Sequence, residues 1–275
     1  MFSISIPLAI LITALAIIYQ RTTGPTYPQK FTLTSASAEK IRVKLLRSQE
    51  NDNDANIEIP NFGKNLSGEI FYRRYPTNDA WTNLRLENNP ESPALLITKL
   101  PRQPAAGKLE YYIKLQEDEK TYDLGSADKP IIIRFKGPVP TWILAPHIFC
   151  MFFAMLLSSI AAIEALYKTE KFYFLSLLTT GFLIFGGMFL GPLVQKYAFG
   201  VYWAGFPYGL DLTDNKLLIG VLAWSTASLL SWKKRRYYAS VVAAIILLLV
   251  YSIPHSRMGS EFNYHEGEVQ TQKKF

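Results

Sequence analysis

Cysteine is almost missing from this 275-residue chain: the one thiol, Cys150, lies inside an apolar run. No disulfide can staple a folded part of it, so any domain must hold on its own core. Histidine is nearly as scarce, with three residues, and no HExxH, CxxC or GxSxG string occurs anywhere. The common metalloprotease, thiol-redox and hydrolase signatures are thereby excluded. A basic stripe with interleaved aromatics is lacking too, which argues against nucleic acid as a partner in spite of the formal net charge of +7.

Hydrophobic residues make up 49% of the chain, and they are unevenly placed. A first apolar segment runs from Ile4 to Tyr19, and an insert of about 115 residues, Arg21 to Lys136, separates it from the rest. That insert holds 18 Lys/Arg against 15 Asp/Glu, the balance of an ordinary globular surface. Beyond it, Trp142 to Leu166 and Phe172 to Val194 are each long enough to cross ~30 Å of hydrocarbon at about 1.5 Å per residue. Leu217 to Trp232 and Tyr237 to Ile253 are shorter and uncharged, and the four-cation loop Lys233 to Arg236 divides them into a helical hairpin. The spacing of Gly187 and Gly191 puts two small residues on one helix face, which suits close packing within the chain.

Sidedness follows from the cations. Lys168/Lys171 and Lys233 to Arg236 fall on the same side by helix parity, and as the densest short-loop clusters they mark the cytoplasm. The insert, the Lys196 to Lys216 loop and the C-terminal tail then face outward. No Lys or Arg precedes the first segment and no clear small-residue cleavage site follows it, so a retained anchor is favoured over a signal peptide. An exported domain without disulfides suits the cytoplasmic (inner) membrane of a bacterium, with the soluble domain in the periplasm. The expected organisation is an anchor at 1–20, an exoplasmic β domain at 26–136, a four-helix transmembrane domain at 141–254 and a polar outward tail at 255–275.

Period-two segments recur in the insert: Lys30 to Leu33, Lys40 to Leu46, Glu69 to Tyr75, Trp81 to Leu86, Ala94 to Thr98, Lys108 to Leu115 and Ile131 to Phe135. Turn residues separate them, as at Pro76 to Asp79 and Gly125 to Asp128. About seven short strands with no helical stretch predict an all-β antiparallel sandwich, to be joined to an α-helical bundle of four to five spans. The stretch Leu100 to Ile113, LPRQPAAGKLEYYI, resembles the late-strand region of bacterial Ig-like and fibronectin type III-like modules. Such modules are commonly spacers or interaction surfaces, and the resemblance implies no catalytic residue. Tyr72, Tyr75, Tyr111, Tyr112 and Trp81 read as packing rather than as a binding surface, and Arg73-Arg74 should place one side chain on each sheet face.

Several residues capable of chemistry converge at the outer membrane level on this topology. His147 enters one span and His255 leaves another, each after a proline, while Asp211, Asp214 and Glu261 lie in the outer loop and tail. Imidazole with carboxylate suits a divalent metal, and two histidines on different helices suit a haem. The plainer alternatives stand beside this: interfacial histidines, an Asp211/Asp214 helix cap, and an Arg257/Glu261 pair at i, i+4. The third histidine, His265, falls in the polar tail with no role. With no reaction signature, the leading expectation is a non-catalytic docking or assembly component of the cell envelope, contacting the lipid bilayer and an envelope protein partner. An outward metal or haem site for redox chemistry or hydrolysis of a lipid-like substrate is the alternative, and a small-molecule transporter component the third.

Overall fold

A computed structural model of the protein describes residues 2–63, 65–254 and 259–270. The chain divides into two compact units. One is helical and takes residues up to Pro25 and from Val139 to Ser260; the other is β-rich and takes Thr26–Pro138 together with Glu261–Gln270.

The β unit begins with a hairpin, β1 (Gln29–Thr34) and β2 (Lys40–Leu45), followed by β3 (Ser48–Glu50), β4 (Ala55–Pro60), β5 (Leu66–Tyr75), β6 (Thr82–Arg85) and β7 (Glu87–Asn88). It continues with β8 (Leu95–Leu100), β9 (Lys108–Glu117), β10 (Lys120–Leu124) and β11 (Ile131–Lys136). One sheet has the order β3-β11-β9-β5-β6, with β10 also on β9, and a second has the order β4-β8-β7. All seven alternating segments lie in strands. The departure from an antiparallel reading is β3, which runs parallel to β11 with Ser48 opposite Arg134. Its residues, Ser-Gln-Glu, carry no apolar alternation, so nothing local announces the strand or its direction.

Alternation sets the core. Leu109, Tyr111, Ile113 and Leu115 of β9 point one way and meet Ile70, Ile57, Ile59, Leu100, Ile133 and Phe135 in one buried cluster. The opposite face of the same sheet is aromatic: Tyr112 stacks on Phe71 at 4.9 Å and takes the edge of Trp81 at 4.9 Å. Arg73 lies over Trp81 and pairs with Glu110, while Arg74 pairs with Asp79, one guanidinium per face. Tyr111 is fully buried and donates to the Leu46 carbonyl at 2.7 Å. Tyr111, Tyr112 and Trp81 are thus packing residues.

Two further strands belong to this unit. β12 (Glu261–Asn263) and β13 (Glu268–Gln270) form a hairpin from the C-terminal tail. Gly267 supplies the left-handed turn position, and Asn263 Oδ1 accepts from the N–H groups of His265 and Glu266.

The helical unit contains α1 (Phe2–Thr23), α2 (Thr141–Leu166), α3 (Lys171–Phe182), a π-helical stretch (Leu183–Leu190), α4 (Gly191–Phe199), α5 (Leu212–Ser231) and α6 (Tyr237–Ser252). Among the described residues, three segments are long and apolar enough to cross a bilayer: Ser5–Thr23, Thr141–Leu166 and the continuous run Lys171–Phe199. α6 is a shorter apolar helix. The apolar part of α5 is shortened by Asp214 and Lys216 at its start. Between helices the polar groups bond one another: Ser176 with Ser240 at 2.9 Å, Thr180 with Ser228 at 3.0 Å, and Ser5 with the buried Glu164 at 2.9 Å.

Small residues carry the closest helix approaches. A Cβ at Gly186 would overlap Cys150 Cβ, and one at Gly187 would overlap Leu217 Cδ1. Cys150 Cβ is fixed to its backbone, whereas the leucine methyl sits at the end of a flexible chain. Gly186→Ala should therefore destabilise the detergent-solubilised protein by about 1–3 kcal/mol, and Gly187→Ala by less. Leu217→Ala should restore stability only in the Gly187→Ala background, as thermal unfolding would register.

Candidate functional site

The loop between α4 and α5 is built around two aspartates. Asp211 is the N-cap of α5: one oxygen accepts from Thr213 N–H at 2.8 Å, and the other accepts from Ser260 N–H at 3.1 Å. Asp214, three residues on, aims Oδ2 back at the loop and accepts from Ala204 N–H (2.6 Å), Gly205 N–H (3.1 Å) and Gln195 Nε2 (3.0 Å). Asn215 Oδ1 accepts from Phe206 N–H at 2.7 Å. Any side chain at Gly205 would strike Asp214 Cβ, so the backbone can come this close only at glycine. Lys216 is also buried, and its ammonium donates to the Ile253 carbonyl at 2.5 Å.

Burial matters for Asp214, which precedes the apolar stretch of α5. Its carboxyl is pushed up to about 6, desolvation being the largest cause and the neighbouring Asp211 charge adding to it; the hydrogen bonds from Ala204, Gly205 and Gln195 oppose the rise.

His147 sits on α2 with Nδ1 2.8 Å from the Gly186 carbonyl. A carbonyl can only accept, so Nδ1 carries the proton and Nε2 keeps its lone pair. The π-helical stretch supplies that carbonyl. The His147 ring also borders Gly191, with Cε1 3.7 Å from where a Cβ would stand there, and Leu217 Cδ2 lies 3.8 Å from the same point. His147 and the start of α5 are therefore neighbours.

Of the residues expected to converge, His147, Asp211 and Asp214 belong to the helical unit. Asp211 and Asp214 share one helical turn but each is taken up by backbone donors, the capping role that the sequence left open. Glu261 belongs to the β unit, in β12, and pairs with Lys108. His255 lies outside the described residues, as does Arg257. Among the described residues, no three of His, Cys, Asp and Glu come close enough to hold a metal ion.

Sequence reasoning missed a second constellation, where the tail meets the β unit. Tyr264 Oη accepts from Lys108 N–H at 3.0 Å and has two acceptors within reach, the Lys108 carbonyl at 2.9 Å and Gln103 Oε1 at 3.0 Å. Arg74 covers its ring at 5.2 Å, and Phe262 packs edge-on at 5.3 Å. Phe262 N–H donates to the Ala106 carbonyl at 3.2 Å. Burial lowers the Lys108 ammonium from its ordinary pKa, with Glu261 pulling it back up. Burial also pushes the Tyr264 hydroxyl up to about 12, so it remains a donor at neutral pH. The usable signal was the short alternation Glu261-Phe262-Asn263-Tyr264 ahead of a Glu-Gly turn, too brief to separate from a solvated tail.

The chain matches no protein-family model, no curated protein and no solved structure. The site must be read from its own chemistry.

An acid whose folded pKa lies above its unfolded value favours the fold while protonated. For Asp214 that contribution is present below about pH 4 and is lost as pH rises through 6, a swing of up to about 3 kcal/mol. Asp214→Asn removes the titration. Its stability should vary less between pH 4 and 7 than that of the parent chain, measured by thermal unfolding in detergent.

Proposed function

We propose that this chain is an integral protein of a bacterial cytoplasmic membrane that holds an Ig-like β domain on the periplasmic side, as a non-catalytic docking or assembly component of the envelope. The observation that carries the reading is the tail hairpin. β12 and β13 pack on the β unit inserted between α1 and α2, so the chain must return to the same side of the membrane after residue 138. That needs an even number of crossings. α2 and the run Lys171–Phe199 supply two, so α5 and α6 cross as a pair or not at all. The four-cation loop between them favours a pair, because it then joins Lys168 and Lys171 on the cytoplasmic side.

Strand order supports the Ig-like reading. The order β4-β8-β7 corresponds to the B-E-D half of an immunoglobulin-type sandwich, and β5-β9-β11 corresponds to its C-F-G half. The non-catalytic reading is supported by the site chemistry: Asp211, Asp214 and Glu261 already have structural partners. One observation favours the metal or haem alternative, the His147 tautomer, which leaves Nε2 available as a ligand next to the start of α5. Metal analysis and an absorption spectrum of the purified protein decide between the two. Bound metal or a Soret band lost in His147→Ala would establish the alternative.

Cysteines placed at Lys168 and Glu266 should label from opposite sides of sealed vesicles, Glu266→Cys from the periplasmic face. Labelling of both from one side would overturn the topology. For the docking role, isolation in mild detergent should recover a second envelope protein; a lone monomer under every condition would count against it.

A further inference from the structure

The contacts between tail and β unit are those of a peptide-recognition site, not of a chain end lying on a surface. The cradle is contributed by Arg74 of β5, the loop residues Gln103 and Ala106, and Lys108 at the start of β9. Each reads a different chemical feature. The Lys108 ammonium pairs with the Glu261 carboxylate, the two side chains being 15% and 16% exposed. The Lys108 N–H, the Lys108 carbonyl and Gln103 Oε1 surround the Tyr264 hydroxyl. The Arg74 guanidinium lies over the tyrosine ring, and the Ala106 carbonyl accepts from Phe262 N–H. Gly107 has no side chain because a Cβ there would stand 2.8 Å from the Pro104 carbonyl and 3.0 Å from Tyr264 Oη. The cradle therefore selects a Glu-x-x-Tyr segment, and a phenylalanine or a phosphotyrosine would not satisfy it.

We infer that this cradle is the docking site of the β unit, selective for a Glu-x-x-Tyr hairpin and occupied in cis by residues 261–270 of the same chain. The inference rests on the docking reading above and says where docking happens and what governs it. A segment on a short tether acts at an effective concentration of the order of millimolar. The tail therefore excludes weak competitors, and a segment from another chain enters only if it binds much more tightly or if the tail is withdrawn. Nothing covalent is required: the device is competition between two peptides for Lys108, Gln103 and Arg74.

The test uses a protease site inserted between Ser260 and Glu261 of the full chain, and a labelled peptide of residues 261–270 as probe. Before cleavage the chain should take up almost none of it; after cleavage the labelled peptide should replace the tail. A peptide carrying Tyr264→Phe should bind at least tenfold more weakly, about the effect of one net hydrogen bond. Failure of the cleaved chain to take up the peptide, or equal binding of the phenylalanine or a scrambled peptide, would overturn the inference. A second variant avoids the insertion: uncut Tyr264→Phe chain should admit the wild-type peptide at a concentration at least tenfold lower than the uncut parent does, and no difference between them would be equally decisive. Exchange of this kind needs no envelope partner, so a chain that exchanges peptide yet purifies alone loses the docking reading but keeps the site.

Discussion

Lys108 holds the C-terminal tail to the β domain inserted far upstream of it. Its N–H and carbonyl engage the Tyr264 hydroxyl, its ammonium engages Glu261, and its strand, β9, is the centre of the larger sheet. Residues 109 to 260 lie between these contacts and contain every described helix after α1, so the parity of the proposed membrane path depends on them. A buried ammonium without Glu261 would be a desolvated charge with no partner.

The strands were legible where apolar alternation was long. Lys108 to Leu115 reads as a strand because Leu109, Tyr111, Ile113 and Leu115 share one parity, and those residues are fully buried. β4 alternates equally well through Ala55, Ile57 and Ile59, yet its flanking Asn and Pro residues read as loop. β3 and β7 have three and two residues and no alternation to detect, so their existence depends on partners distant in sequence, and the alternation of the tail hairpin is too short to stand out. Among the helices, length and hydropathy declare α2 and the run after Lys171, whereas α5 is harder to read because its first turn is polar for a local reason, the Asp211 cap and the Asp214 loop contacts.

Sequence inspection left the aspartates and Lys216 in a loop ahead of Leu217, whereas the helix begins at Leu212, and it proposed for the aspartates both a cap and a ligand role. The capping role rests on the donors already aimed at each carboxylate, which only coordinates reveal. Asp214 has three and Asp211 three, counting the Ser260 hydroxyl. A group so surrounded organises its loop. His147 differs, since the Gly186 carbonyl fixes a proton on Nδ1 and its described hydrogen bond involves that nitrogen alone.

That carbonyl comes from the π-helical stretch between α3 and α4. A π-helix hydrogen-bonds i to i+5 where an α-helix bonds i to i+4, so the run from Leu183 to Leu190 accommodates extra residues within an unbroken span. Removing one residue from it would turn everything downstream by about 100°. Gly191 would leave the His147 ring and Gln195 would rotate off Asp214, so the phase of α4 relative to α3 is stored in the length of this one stretch.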